Sequence, residues 1–186
     1  MALTNEAHHA IRTHFDGKAK TLAVDATCGN GFDTQFLIEL GFAQVVGFDI
    51  QAIAIETTTK RIKHLGLKTP QLFQVGHELM PQYIHSQIDC VMFNFGYLPN
   101  GDKTLTTQAE NSCKAVLEAT DMLRDSGLIT LICYPGHPSG LTEATAIKAL
   151  LSKLDSTWCI ETRLSVSPKP ATPILHLLKR APLVVS

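Results

Sequence analysis

A regular alternation of short apolar runs with longer amphipathic segments starts at Thr21 and continues through the rest of the chain. Short apolar runs are typical of strands buried on both faces, and the amphipathic segments have the spacing of helices. The alternation therefore predicts a mostly parallel sheet that is covered by helices. We expect seven strands, over residues 21–25, 44–48, 71–75, 88–93, 128–134, 157–165 and 173–178.

The segments between these runs predict the helices. Helical spacing extends over residues 33–40, 51–65, 105–123 and 141–154, and a further helix is expected at about 5–15. Gly66 and Gly127 stand where helix C-caps are expected, because glycine adopts the left-handed conformation at little cost. Residues 165–173 are too short and too rich in proline for a crossover helix, so the last two strands should pair antiparallel.

Composition limits the class of protein. The 186 residues suit one domain, 1–186, and no apolar run approaches the roughly 18 residues of a membrane span. The first ten residues lack a signal or transit pattern, so we expect a cytoplasmic protein. The five cysteines include no CxxC pair, and the eight histidines are not spaced as metal ligands, so we expect reduced thiols and no metal. A net charge of −1 argues against binding nucleic acid by overall charge alone.

The densest motif is Val24-Asp-Ala-Thr-Cys-Gly-Asn-Gly31, which follows the first strand and precedes a helix. Its glycines, Gly29 and Gly31, would let the backbone turn sharply and approach a ligand closely. Asp49 ends the second strand, where a carboxylate can accept hydrogen bonds from both hydroxyls of a ribose. Alternatively, Asp49 is the N-cap of the next helix. The motif predicts a site for a nucleoside cofactor.

Two nucleoside cofactors are compatible with such a motif, a nicotinamide dinucleotide and S-adenosylmethionine. A nicotinamide fingerprint has a third glycine where this chain has Thr34, and this departure together with Asp25 at the strand tip favours S-adenosylmethionine. The spacing D-x-x-x-G-x-G also resembles motif I of the class I methyltransferases, whose sheets end in an antiparallel hairpin. This resemblance implies an α/β fold: a single Rossmann-like class I methyltransferase domain with a mostly parallel seven-stranded sheet ending in an antiparallel hairpin.

The loop after the fourth strand is the candidate acceptor site, since ligands lie beyond the carboxyl ends of the strands in open α/β sheets. The side-chain carbonyl of Asn94 can accept an N–H and aim a nitrogen lone pair at a methyl group, and Tyr97 offers a flat face for a base. The segment resembles the N-P-P-Y motif of amino-methylating enzymes, with Phe95 and Gly96 in place of the two prolines. A turn without chemistry is the alternative.

Three motifs together resemble the small family labelled "putative rRNA methylases", and the resemblance spans nearly the whole chain. They are residues 25–31 with Asp33-Thr34, residues 94–99 with 101–103, and residues 134–137. The resemblance implies S-adenosylmethionine as cofactor and tRNA, through its anticodon stem-loop, as partner. The reaction implied is N-methylation of the 5-aminomethyl group of 2-thiouridine at the wobble position. Asn100 departs from the family at a place where glycine is common, and Pro138-Ser139 depart from it at a similarly glycine-rich place.

The resemblance also implies residue roles. The cofactor contacts are expected at Asp25, Thr27, Cys28, Gly29, Asn30, Gly31, Asp33, Thr34, Asp49, Ile50, Gln51, Gly76, His77 and Asn94. The catalytic candidates are Asn94, Tyr97 and His137, where His137 is either a proton acceptor, a phosphate contact or a structural hydrogen-bond partner. His9, in the first helix, is expected to face the cofactor entrance.

Other functions stay open at this point. With no appended RNA-binding domain, the chain would grip RNA with a small surface or as a homodimer. An rRNA methyltransferase and a small-molecule amine methyltransferase on the same fold are alternatives, and so is a non-catalytic scaffold that binds the cofactor or RNA.

Overall fold

The structure is a computed structural model that describes residues 3–96, 108–165 and 172–182. Within these ranges the strands are β1 Leu22–Asp25, β2 Gln44–Phe48, β3 Gln71–Phe73, β4 Ile88–Asn94, β5 Leu123–Cys133, β6 Trp158–Leu164 and β7 Ile174–Arg180. The helices are α1 Leu3–His14, α2 Phe32–Glu39, α3 Ala52–His64, α4 Ala109–Met122 and α5 Pro138–Leu151, with a short 3-10 helix at His77–Gln82. No helix in the described part of the chain is long and apolar enough to cross a membrane.

All seven strands form one sheet in the order β3-β2-β1-β4-β5-β7-β6. The first five are parallel, whereas β7 runs antiparallel to both β5 and β6. The predicted α/β fold, with a mostly parallel sheet that ends in an antiparallel hairpin, is confirmed. The strand order reverses between β1 and β4, so a crevice opens at their adjoining carboxyl ends. Asp25 and Asn94 are the last residues of these two strands.

Strand β4 shows why the central strands are apolar without alternation. Val91 and Phe93 pack into the core on one face of the sheet, and Cys90 and Met92 pack into the core on the other face. Helices cover both faces, so neither side of the strand meets water. This arrangement holds the carboxyl end of β4 rigidly beside β1.

Strand β5 is longer than predicted, and one predicted helix cap is wrong. It starts at Leu123 instead of residue 128, so Gly127 lies inside the strand and not at the end of a helix. The pairing shifts there from Ile88↔Leu123 to Cys90↔Leu128, which is a bulge. A Cβ at Gly127 would lie 2.8 Å from the backbone oxygen of Asp89. The other cap is confirmed, because Gly66 follows α3 with φ +63°.

Asp89 stabilises the end of the sheet that lies opposite the crevice. Its buried carboxylate accepts hydrogen bonds from the backbone N–H groups of Thr21 (2.8 Å) and Leu22 (2.9 Å) and from Arg124 Nε (2.9 Å). Removing this acceptor would leave backbone donors at the start of β1 without a partner. Asp89 therefore holds β1, β4 and β5 in register.

We predict that Asp89→Ala lowers the free energy of unfolding by about 2 to 4 kcal/mol, because buried donors lose their acceptor. Urea denaturation followed by circular dichroism would measure the loss. Asp121→Ala is the matched control, since Asp121 is an exposed aspartate on α4. A loss no larger than that of Asp121→Ala would contradict the assigned role.

Candidate active site

The glycine loop connects β1 to α2 and turns as the sequence predicts. Gly29 has φ +50° and Gly31 has φ +77°, both in the left-handed region. Gly31 also packs closely on α3, because a Cβ there would lie 2.9 Å from the Cα of Thr58. Both the conformation and the close approach therefore require glycine at position 31.

Asp25 lies beneath this loop and is completely buried. Its carboxylate accepts hydrogen bonds from Thr34 Oγ1 (2.5 Å) and from the backbone N–H of Thr27 (3.2 Å). Burial, and then the nearby charge of Asp33, raise the pKa of Asp25, although these two hydrogen bonds oppose the rise. Thr34 stands where a nicotinamide site has its third glycine, and here its hydroxyl is a bonding partner of the buried acid.

Asp49 ties the loop to the end of β2. Its Oδ2 accepts from the backbone N–H of Gly29 and its Oδ1 from that of Gln51, both at 2.9 Å. Burial raises the pKa of Asp49, and the backbone hydrogen bonds lower it. The N-cap residue of α3 is Gln51, so the alternative that Asp49 occupies the N-cap position is wrong. Asp49 is only partly buried, and next to it Ile50 is 47% exposed.

Cys28 lies under the loop against a residue that the sequence analysis did not select. A Cβ at Gly47 would lie 2.5 Å from Cys28 Sγ and 2.7 Å from Leu72 Cδ2, so only glycine fits there. The signal was a glycine in the middle of a predicted strand, which often marks a close approach. Burial raises the pKa of Cys28 well above its ordinary value, and the thiol is therefore a neutral packing group.

Arg61 is a second residue at the loop that the sequence analysis did not place among the cofactor contacts. Its Nε donates to the backbone oxygen of Asn30 at 2.7 Å, and its guanidinium lies 3.7 Å from the centroid of the Phe32 ring. It also bonds Gln35 at 3.3 Å. The residue is three positions after Thr58, which places both on the loop-facing side of α3. Arg61 therefore stabilises the outer side of the glycine loop.

Asn94 is held at both its backbone and its side chain. Its backbone N–H donates to Thr27 Oγ1 at 2.8 Å, and its Nδ2 lies 3.3 Å from Asp33 Oδ2. An ionised carboxylate only accepts hydrogen bonds, so the group facing Asp33 must be the amide nitrogen. The amide oxygen of Asn94 is then the group that can accept an N–H from a ligand.

A cleft of about 420 Å³ opens beside Asn94, between α1 and α2. His8 lines it, with Nε2 2.6 Å from Asp33 Oδ1 and its ring stacked on Phe36 at a centroid distance of 3.7 Å. His9 was expected to face the entrance, but its side chain is exposed and does not line the cleft. The histidine of α1 that reaches the site is His8.

His77, a predicted cofactor contact, connects the segment after β3 to the residue that follows β1. Its Nδ1 lies 3.2 Å from the backbone oxygen of Ala26, and Gly76 before it is the N-cap of the 3-10 helix. Desolvation lowers the pKa of His77, so the imidazole is neutral near pH 7. Its Nε2 is buried without a partner among the described residues.

His137 has a structural position. It is the N-cap of α5, and its Nδ1 accepts from the backbone N–H of Gly140 at 3.1 Å and contacts Ser139 Oγ at 2.9 Å. It does not line the cleft between α1 and α2. Pro138 occupies the first turn of α5, where proline is favourable.

Some predicted site residues lie outside the described residues: Tyr97, Asn100 and residues 101–103. Among the residues that are described, no group of three or more His, Cys, Asp or Glu side chains is arranged to hold a metal ion.

The burial of Asp25 predicts a pH dependence of stability. In the unfolded chain the carboxyl ionises near its ordinary pKa, whereas the folded protein retains the proton to higher pH. The folded state thus binds more protons in this interval, and stability falls as the pH rises. We expect the free energy of unfolding to fall by about 1 kcal/mol or more between about pH 5 and pH 8 relative to Asp25→Asn.

Denaturation at a series of pH values would measure these slopes. Asp121→Asn, at an exposed aspartate, should follow the wild type. Equal slopes for the wild type and Asp25→Asn would contradict the prediction.

Comparison with known families gives one match over more than half of the chain. The sequence model of the family described as "Putative rRNA methylase" matches residues 45–179.

Individual relatives agree with this match. The "tRNA (mnm(5)s(2)U34)-methyltransferase, chloroplastic" of Arabidopsis thaliana is 32% identical over 183 residues, which cover 91% of this chain. The chain spans 66% of the length of that relative. The crystal structure of a "putative rRNA-methylase" from Clostridium thermocellum has a TM-score of 0.90 and 35% identity, and covers 96% of this chain and 97% of its own. A "putative methyltransferase" of Streptococcus mutans, in complex with SAH, has a TM-score of 0.83 and 26% identity, with 93% and 97% covered.

The match extends from β2 to β7 and includes β4, and the fold of the described chain agrees with that of the Clostridium thermocellum structure. This chain therefore belongs to the "Putative rRNA methylase" family.

Proposed function

We propose that the protein is an S-adenosylmethionine-dependent RNA methyltransferase that N-methylates the 5-aminomethyl group of 2-thiouridine at the wobble position of tRNA. Family membership supports methyl transfer to RNA. The name of the Arabidopsis thaliana relative supports the finer substrate, and the SAH in the Streptococcus mutans structure supports the cofactor. SAH is what S-adenosylmethionine becomes when it has given up its methyl group.

The residues around the glycine loop fit this cofactor. Gly29 and Gly31 leave the loop without side chains that could block a close approach, and Asp49 is a partly exposed carboxylate. The Asp49 oxygens accept backbone N–H groups, and a carboxylate has about four lone-pair sites, so a site remains for a ribose hydroxyl. The buried Nε2 of His77 is an acceptor without a described partner, as an adenine amino group would require. The bound cofactor supplies a methyl group activated on a sulfonium.

The geometry of Asn94 is the observation that carries the proposal. Asp33 holds its amide nitrogen, so its oxygen is presented to an incoming donor. An aminomethyl group that donates one N–H to this oxygen has its lone pair directed away from Asn94. Because Thr27 also holds the backbone of Asn94, the alignment exists before the substrate binds. Such preorganisation lowers the barrier by reducing the entropy lost on reaching the reactive geometry.

Two further residues have roles in the proposed reaction. Tyr97 would stack on the base, and His137 would contact a phosphate while it caps α5. The partner is the anticodon stem-loop of tRNA. The net charge of −1 makes nonspecific binding weak, so recognition depends on the target nucleotide and its neighbours.

Methyl transfer in vitro would test the proposal. The purified protein and S-adenosylmethionine are incubated with tRNA that carries 5-aminomethyl-2-thiouridine, and the digested nucleosides are analysed by mass spectrometry. We expect 5-methylaminomethyl-2-thiouridine to form, and unmodified tRNA transcripts to stay unmethylated. Transfer only to rRNA or to the free nucleoside would contradict the tRNA assignment, and cofactor binding without transfer to any acceptor would indicate a scaffold.

We predict that Asn94→Ala separates binding from turnover. The dissociation constant for S-adenosylmethionine should stay within a few fold, while turnover falls by about 100-fold because the acceptor nitrogen loses its alignment. Calorimetry and initial rates would measure the two effects. Asn111→Ala is the control, because Asn111 is on α4 and does not line the cleft. Turnover equal to that of the wild type would exclude the role given to Asn94.

A further inference from the structure

His8 lines the cleft, and neither the motifs nor the proposed function assigns it a role. It comes from α1, which lies before the first strand, and meets Asp33 at the start of α2. Its Nε2 is 2.6 Å from Asp33 Oδ1, and its side chain is 20% exposed. The ring lies flat on Phe36, with an interplanar angle of 4°. Two different contacts therefore hold the imidazole in one orientation.

The bond to Asp33 determines which ring nitrogen carries the proton. A carboxylate only accepts, so Nε2 of a neutral His8 is the N–H donor. Nδ1 is then left with a lone pair, and the described residues provide no hydrogen-bond partner for it. Asp33 has the same relation to His8 that an orienting carboxylate has to a general base.

Asp33 also connects His8 to the acceptor site. Its Oδ1 contacts His8 and its Oδ2 contacts the amide nitrogen of Asn94 at 3.3 Å. His8, Asp33 and Asn94 all line the cleft of about 420 Å³. A substrate amine bound at the oxygen of Asn94 would therefore occupy the same cleft that the imidazole lines.

The proposed reaction requires a base at this place. A primary alkylamine is protonated near neutral pH, and an ammonium nitrogen has no lone pair with which to attack a methyl carbon. The proton must leave before the transfer, and a positioned imidazole is the commonest acceptor in enzymes. Asn94 can align the amine but cannot take its proton.

We propose that His8 is the general base of this site: its Nδ1 accepts the proton of the substrate ammonium while Asp33 orients the ring. This inference rests on the proposed function, because it assumes an amine acceptor. The neutral amine then attacks the methyl carbon. A nitrogen–carbon bond forms as the carbon–sulfur bond breaks, and the bonding electron pair goes to sulfur. The products are a secondary ammonium and SAH, and the proton on His8 returns to solvent through the open side of the cleft.

Several charged or titratable groups face His8. On α1, the guanidinium of Arg12 lies 4.9 Å from the centroid of the Phe36 ring on which His8 stacks. On α2, Asp33 is in direct contact, and Glu39 lines the same cleft. On the strand side, Tyr134 follows β5; burial raises the pKa of its phenol, a hydrogen bond with Thr4 opposes the rise, and the charge of Asp33 adds to it.

The pH dependence of His8→Asn would test the inference. Rates of a single methyl transfer are measured with tRNA carrying 5-aminomethyl-2-thiouridine, saturating S-adenosylmethionine and excess enzyme, from about pH 6.5 to pH 9.5. We expect a loss of at least about tenfold near neutral pH. The loss should shrink as the pH rises, because the substrate amine then gives its proton to solvent. Cofactor affinity should stay within about twofold, and His9→Asn, on the exposed side of the same helix, should behave as the wild type.

A second variant, His8→Ala, provides a test that does not depend on the result for His8→Asn. His8→Ala opens space above Phe36, and added imidazole should restore part of its rate. The inference is overturned if His8→Asn retains the wild-type rate, or if the loss is the same at every pH and imidazole restores nothing, which would indicate a structural role. A wild-type protein that does not methylate this tRNA would overturn the proposed function and the His8 assignment together, whereas an active wild type with an unaffected His8→Asn would overturn only the latter.

Discussion

A carboxylate buried at the tip of the first strand determines how the rest of the site is placed. Asp25 has no contact with solvent, and its partners are the hydroxyl of Thr34 and the backbone N–H of Thr27. The first bond holds the start of α2, and the second holds the turn that leads into the glycine loop. A buried carboxylate is costly unless its oxygens are bonded. The local chain is therefore confined to the conformation in which both donors point at Asp25.

The hydrogen bonds at Asp25 also fix the position of Asn94, the proposed acceptor residue. Thr27 uses its backbone for Asp25 and its hydroxyl for the backbone of Asn94, and the amide of Asn94 then meets Asp33. Asp33 is one residue before Thr34, so its position follows from the same anchored turn of α2. The cofactor loop and the acceptor residue are thus parts of one hydrogen-bonded network. In a protein interior such a network holds its members more firmly than isolated pairs would.

The sequence predicts those features that depend on local spacing. The sheet, its antiparallel end and the turn at Gly29 and Gly31 all follow from runs, prolines and glycines that are close together in the chain. Gly127 shows the limit of this reasoning: a glycine after a helix predicts a cap, but the bulge opposite Asp89 requires a glycine for a reason that only the neighbouring strand reveals. Arg61 was missed for the same cause, since its partner Asn30 is 31 positions away in the chain.

His8 is the clearest case of this kind. A histidine in the first predicted helix carries no motif, and its neighbour His9 was the one expected at the entrance. Which of the two faces the site depends on the rotation of α1 about its axis, and this is determined by the apolar face formed by Leu3, Ala7 and Ile11. Residues 7 and 8 are adjacent on the helix, so burial of Ala7 brings His8 to the edge of the interface, whereas His9 is turned to solvent. The packing of an apolar stripe thus decides which imidazole meets Asp33, and a residue outside every motif becomes part of the site.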